Sequence, residues 1–333
     1  MTPQELETQL HDFRNRFKGL KAEIQKAIVG HDELLTDTLV AIFSHGHVLL
    51  EGVPGLGKTF LVKVLGKVLG LEPGRIQCTP DLMPADILGT QIVSDDQGHR
   101  YLRFEKGPVF ANIVLVDEIN RATPKTQAAL LEVMQEHAVT SGGERHQMPE
   151  PFFVMATQNP MEMEGTYPLP EAQLDRFLFK LRVPFPTLDE LVDISKRTTG
   201  FKQANVEAVM KGEEVIHFQD ALSHVPVADP ITKYAASLVL ATHPDQTHDE
   251  KVRRYIAYGS SPRGLQALIK GARVHAVLDN RTAVAEEDIR KVAASALRHR
   301  MILNFEGEAE SLDVDAIIAE LLDHVPTSAQ IAA

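Results

Sequence analysis

Apolar residues along the chain follow two spacings, and the switches between them divide it into three zones. In the first, Leu6, Leu10, Phe13, Phe17, Leu20, Ile24 and Ala27 recur at alternating steps of four and three, which puts them on one face of a helix. Residues 1–28 are expected to form an amphipathic helix whose stripe either packs on the rest of the protein or pairs with another chain as a short coiled coil. From Val29 onward short apolar runs alternate with helix-like stretches: His47 to Glu51, Arg75 to Cys78, Asn112 to Val116, Phe152 to Thr157 and Phe177 to Val183. That alternation predicts an α/β domain over 29–186 around a mostly parallel five-stranded sheet. After Pro184-Phe185-Pro186 the strand-like runs stop, and Thr187 with Glu190 reads as a capping box opening a region of helical period. Residues 187–333 are expected to be all-α, with helices over Ile231 to Thr242, Arg263 to Leu278, Glu286 to Met301 and Asp313 to His324. Leu191, Ile194, Leu265, Leu268, Ile269, Ile317, Ile318, Leu321 and Leu322 read as core stripes of those helices.

The loop after the first strand run carries the chemistry. Gly52-Val-Pro-Gly-Leu-Gly-Lys58-Thr59 fits GxxxxGK[ST] and sits between a strand and a helix, where a phosphate loop belongs. Such a loop turns consecutive N–H groups toward phosphate oxygens, adds the positive end of the following helix, and offers a lysine to the terminal phosphates. Gly52, Pro54, Gly55, Leu56, Gly57, Lys58, Thr59 and Phe60 are the expected nucleotide-binding residues, with the Thr59 hydroxyl a candidate Mg²⁺ ligand.

In open parallel sheets ligands lie beyond the carboxyl ends of the strands, so motifs there should converge. Ile113 to Val116 ends in Asp117-Glu118; in front of a nucleotide, Asp117 would hold Mg²⁺ and Glu118 would orient and deprotonate the attacking water. Phe152 to Thr157 ends in Gln158-Asn159-Pro160, where the Asn159 amide could meet the γ-phosphate or simply start a turn. Arg176, just before the last strand run, is either an arginine finger or a structural partner of Asp175 or Glu171. Ser260-Ser261-Pro262-Arg263-Gly264 reads as a capped helix start, which sets Arg263 beside the positive end of a dipole at a cost of about 0.3–1 kcal/mol unless an anion answers it. A bound phosphate or a carboxylate elsewhere in the fold could be that anion.

Composition narrows the class. The chain has 333 residues, 44% of them hydrophobic and 24% charged, and a net charge of −12, which disfavours a surface built to track nucleic-acid phosphates. Its one cysteine, Cys78, cannot form an intrachain disulfide and reads as a small packed residue in a reducing, cytoplasmic setting. No apolar run approaches the roughly 18 residues of a membrane span.

Taken in order, these motifs resemble an AAA+ ATPase, and Asp117-Glu-Ile-Asn-Arg-Ala122, Pro124-Lys-Thr-Gln127, Ala156-Thr-Gln-Asn-Pro160 and Glu164-Gly-Thr-Tyr-Pro-Leu-Pro-Glu-Ala-Gln-Leu-Asp-Arg-Phe177 narrow the resemblance to the MoxR family. The resemblance implies Walker A at Gly52 to Thr59, Walker B at Asp117 and Glu118, sensor 1 at Asn159, Arg176 as a finger acting on a neighbour's nucleotide, and Arg263 as sensor 2. It places the adenine at Val29, Gly30 and His31, with His31 standing where relatives often carry Gln. It also implies a hairpin turning at Asp95-Asp-Gln-Gly98 and another at Gly142-Gly143, both facing a ring's pore. The expected activity is Mg²⁺-dependent hydrolysis of ATP to ADP by a homo-oligomeric ring of six, remodelling a separate client protein or a partner with a von Willebrand factor A domain. A nucleotide-gated scaffold with little hydrolysis and a nucleic-acid-dependent motor are the alternatives.

Overall fold

The structure, a computed structural model, describes residues 2–332 except 54, 56, 97–98, 160–164 and 200–204. Its centre is a five-stranded sheet in the order β2-β5-β8-β1-β9, formed by β1 (Val48–Glu51), β2 (Pro73–Gln77), β5 (Ile113–Asp117), β8 (Phe153–Gln158) and β9 (Phe179–Arg182), with every neighbour pair parallel. Two antiparallel hairpins leave this framework: β3 (Gly89–Asp96) with β4 (His99–Lys106), and β6 (Ala138–Ser141) with β7 (Glu144–Gln147). The expected turn at Asp95 to Gly98 falls partly outside the described residues.

The period of two along each strand splits the core. Val48, Leu50, Ile113, Leu115, Phe153 and Met155 point to one face, and Leu49, Val114, Val116, Val154 and Ala156 to the other. The first face is covered by α1 (Pro3–Ala27), α2 (Asp32–Phe43) and α3 (Lys58–Leu69). Against the second lies α5 (Pro124–Glu136), with α4 (Pro84–Leu88) beside it. The α1 stripe is used inside the chain: Leu10, Phe13, Phe17, Leu20 and Ile24 are all buried, and the Phe13 ring lies 4.8 Å from that of Phe43 and 5.5 Å from that of Phe218.

After the one-turn α6 (Glu171–Leu174) and β9, the chain becomes helical: α7 (Leu188–Thr198), α8 (Gly212–Ser223), α9 (Asp229–Ala241), α10 (Glu250–Tyr255), α11 (Pro262–Leu278), α12 (Glu286–Leu297), α13 (Phe305–Ala309), α14 (Val314–His324) and α15 (Ser328–Ala332). Among the described residues this region is helical apart from a short antiparallel pair, β10 (Ile256–Tyr258) with β11 (Ile302–Leu303). Segments of three and two residues are too short to leave an alternating pattern in the sequence. Thr187 forms its capping box with Glu190, and α11 opens on a Ser261 cap with Pro262 behind it. No helix among the described residues is long and apolar enough to cross a membrane.

Candidate nucleotide site

The loop after β1 needs glycine at two positions for conformational reasons. Gly55 and Gly57 hold φ of 86° and 75°, in the left-handed region where a side chain would be strained, and Gly57 caps α3. Gly52 is required for space instead, since a Cβ there would come within 2.8 Å of the Val183 Cβ. The loop and strand tips enclose a cavity of about 470 Å³ lined by Gly52, Gly55, Gly57, Lys58, Thr59, Phe60, Arg75, Gln77, Asp117, Glu118, Thr157 and Asn159. Pro54 and Leu56 lie outside the described residues.

Inside this cavity the side chains are held by one another. The Lys58 ammonium donates to the Gly52 carbonyl at 2.9 Å; burial pulls its pKa down, and Asp117 and Glu118 oppose that shift. Thr157 Oγ1 donates to Asp117 Oδ1 at 2.9 Å and accepts the Glu118 amide at 2.8 Å, so one hydroxyl fixes both acidic residues. Arg75 Nη2 donates to Asp117 Oδ2 at 3.0 Å, and Glu118 Oε2 accepts from Gln77 Nε2 at 3.1 Å and Arg121 Nη1 at 3.2 Å. Glu118 itself sits at φ 56°, a conformation that costs a non-glycine residue about 1–3 kcal/mol and that aims its carboxylate away from the strand line. A carboxylate and a hydroxyl, Asp117 and Thr59, share this cavity as hard oxygen donors, the set that suits Mg²⁺. Cys78, next to the same strand ends, is 1% exposed, and burial pushes its thiol up to about 12, which leaves it inert.

A second cavity of about 450 Å³ continues from the loop on its other side, sharing Gly55, Gly57, Lys58 and Phe60. Its walls are apolar: Ala27, Ile28 and Val29 where α1 ends, His31, Leu34 and Leu35 on α2, then Val183, Phe185, Pro186, Leu191 and Ile194. A polar chamber joined to an apolar one across a phosphate loop is the shape of a nucleoside triphosphate. Val29 and His31 line this apolar wall as expected. Gly30, at φ 69°, lies against Glu190, whose Oε1 would be 2.1 Å from any Cβ placed there.

Over 91% of this chain and 80% of its own length, the Mycobacterium tuberculosis protein named "Chaperone MoxR1" is 42% identical. The chain belongs to the MoxR family of AAA+ ATPases. A sequence model described as "ATPase family associated with various cellular activities (AAA)" matches residues 47–179, and one described as "AAA lid domain" matches 248–321. The protein YeaC of Bacillus subtilis is 43% identical over 92% of this chain and 93% of its own, and a crystal structure of a Cytophaga hutchinsonii protein superposes with a TM-score of 0.90 at 40% identity, covering 97% and 98% of the two chains.

In this MoxR-family fold Arg176, the expected finger for a neighbour's nucleotide, and Arg263 both lie away from the phosphate chamber of their own chain. Leu178 donates its amide to the His47 carbonyl, so β9 starts beside the amino end of β1, while the phosphate loop leaves its carboxyl end. Arg176 therefore sits at the opposite end of the sheet from Lys58, with four extended residues, about 13 Å, spanned by the strand between them. Its Nη1 donates to the Leu131 carbonyl at 2.8 Å, and neither Asp175 nor Glu171 pairs with it among the described residues. Arg263 lines the same cleft as Arg176, together with His45, His47, Lys270 and Arg300. The carboxylate nearest Arg263 is Asp175, whose Oδ2 lies 3.8 Å from Nη1, and Arg263 does not line the phosphate chamber of its own chain.

Three further residues, Arg75, Gln77 and Thr157, line the phosphate chamber; Thr157 lay inside a quoted motif without a role of its own, and Arg75 and Gln77 stand two apart at the end of β2, so polar residues on one face of a strand tip were the available signal. Leu191 and Ile194, expected in the core, line the apolar chamber instead, and Leu191 remains 39% exposed. Their helical spacing is real, but α7 turns that stripe toward the nucleoside chamber. Arg197 fixes α7 there by donating to the Gln25 and Lys26 carbonyls at 3.1 and 2.9 Å, the open end of α1.

Proposed function

We propose that this protein is a Mg²⁺-dependent ATPase that works as a hexameric ring and cleaves ATP to ADP at the seams between subunits. The observation that supports this reading is that Arg176 and Arg263 line a cleft separate from the phosphate chamber of their own chain, which leaves them free to meet the nucleotide of another copy. In each chamber Lys58 and the loop amides bind phosphate oxygens, and the apolar walls hold the nucleoside. Glu118, held by Gln77 and Arg121, orients water and takes its proton; Asn159, 7% exposed in the same chamber, positions that water or the γ-phosphate. Asp117 and Thr59 would hold Mg²⁺, which would supply positive charge against the phosphates. Arg176 of the adjoining subunit completes the charge stabilisation, and Arg263 joins it there.

In this reading residues 29–186 form the nucleotide-binding core and 187–333 the lid, and the cycle moves the lid to remodel a separate client protein, in line with the chaperone name of the Mycobacterium tuberculosis relative. A cytoplasmic location and a partner with a von Willebrand factor A domain belong to the same proposal.

Phosphate release and ATP binding, measured on purified variants across protein concentration, test it. Lys58→Ala loses binding, Glu118→Gln binds without hydrolysing, and Arg176→Ala binds but loses about 10³-fold or more in rate. Turnover by Arg176→Ala equal to that of the unaltered protein at every concentration would sink the trans assignment.

A further inference from the structure

Asp175, the residue before the proposed finger, is held by the lid of its own chain. Ser261 Oγ, at the cap of α11, lies 2.9 and 2.8 Å from the two carboxylate oxygens and shares its one proton between them. Arg300, just beyond α12, donates Nε to Asp175 Oδ1 at 2.8 Å and Nη2 to the Asp175 carbonyl at 3.0 Å. The same guanidinium reaches past Arg176, with Nη2 to the Phe177 carbonyl at 2.7 Å and Nη1 to the Leu178 carbonyl at 3.1 Å, and also bonds the Ala296 carbonyl. His299 adds a bond from Nε2 to the Phe177 carbonyl at 3.1 Å. The Arg300 side chain is 3% exposed and Phe177 is fully buried, so most of these contacts are shielded from water.

Arg176 is thus bracketed on both sides by lid contacts, while its buried Nε has no hydrogen-bond partner among the described residues and its side chain lines the cleft. A planar fork that donates to three carbonyls and the carboxylate of one turn fixes position as a single-point cation would not. We propose that Ser261 and Arg300 clamp the turn at Asp175 to the lid, so that the finger and the lid of one subunit move as one body and a lid displacement is delivered to the neighbour's nucleotide through Arg176. Ser261 and Arg300 are positioning residues in this scheme. The inference rests on the trans role of Arg176 proposed above.

Mixed rings separate the two claims. Glu118→Gln subunits keep the finger and lack the base; Arg176→Ala subunits keep the base and lack the finger. Mixed, the two inactive proteins should regain phosphate release at seams where the first donates Arg176 to the second. Placing Arg300→Lys in the finger donor is expected to lower the regained rate at least tenfold. The same change in the Arg176→Ala partner should leave that rate within twofold, because that subunit's finger is already absent. Ser261→Ala, a milder change, should show the same polarity, and each variant alone should bind a fluorescent ATP analogue with unaltered affinity. Equal losses in both placements would mean a merely structural role and overturn the clamp, as would no loss in the finger donor. No regained activity in the parent mixture would instead refute the trans reading itself.

Discussion

Asp37 on α2 faces Ser295 and Arg298 across the cleft between the sheet-covering helices and the lid, and it is the one carboxyl whose pKa is raised, to about 6 from 3.8, among the described carboxyls with a shift. Burial is the main cause and the nearby Glu33 adds to it; the Ser295 hydroxyl, donating to Oδ2 at 2.8 Å, and the Arg298 charge oppose it. The folded state therefore binds the Asp37 proton more tightly than the unfolded chain does. Between the unfolded value of 3.8 and the folded value of about 6 it carries more protons than the unfolded state, so stability falls as pH rises through that window and levels off above it. A shift of roughly two pK units corresponds to about 3 kcal/mol, a ceiling because part of the side chain remains open to solvent. Asp37→Asn keeps an acceptor for the Ser295 hydroxyl and removes the charge. It should stabilise the protein by about 1–2 kcal/mol at pH 8, with the gain shrinking toward zero as pH approaches 4. Urea denaturation of both proteins at steps from pH 4.5 to 8 reads this difference directly. A difference that does not change with pH, or a variant less stable at pH 8, would refute the argument, the second result by showing that Arg298 outweighs burial.

Phe13→Ala empties a fully buried position among the Phe17, Phe43 and Phe218 rings and is expected to cost about 3–5 kcal/mol by chemical denaturation; a loss under 1 kcal/mol would mean that α1 docks only weakly. Leu191→Asp puts a charge on the wall of the apolar chamber and should weaken ATP and ADP by the same factor, about tenfold or more, in a fluorescent-nucleotide titration. Weakening confined to ATP would move Leu191 from the nucleoside to the phosphates.

The parts of this fold legible in the sequence are those where one local rule decides. Period-two burial in β1, β5 and β8, the capping box at Thr187 and the glycine spacing around Lys58 each depend on neighbours a few residues away, and each appears in the structure near its expected bounds. Arg263 shows where such rules stop. Its place at a helix start was readable, and so was the need for an anion, but whether a phosphate or a carboxylate meets it depends on how α11 packs on the turn before β9, a contact 88 residues distant in sequence between Asp175 and Arg263. Leu191 and Ile194 fail for the same reason: helical period reports that a face is apolar, not whether protein or ligand covers it. Arg75, Gln77 and Thr157 matter only because parallel pairing sets the ends of β2, β5 and β8 side by side.

Three side chains of the lid converge on Asp175, and their burial assigns them different duties. Arg300 is 3% exposed, so separating it from Asp175 would strand a buried charge, at a cost of about 3–5 kcal/mol. Arg263 stands 3.8 Å away with its side chain 43% exposed, and an open pair of that kind contributes about 0.2–1 kcal/mol. Asp175 would lose little if Arg263 left, because Arg300 donates to Oδ1 and the Ser261 hydroxyl, 2.8 Å from Oδ2, remains to donate there. In the proposed ring, a phosphate of an adjoining subunit, carrying more charge than one carboxylate, would draw Arg263 away without loosening the turn that holds Arg176. In that ring the carboxylate would thus keep one arginine as structure and hold the other loosely enough to join Arg176 at a neighbour's nucleotide.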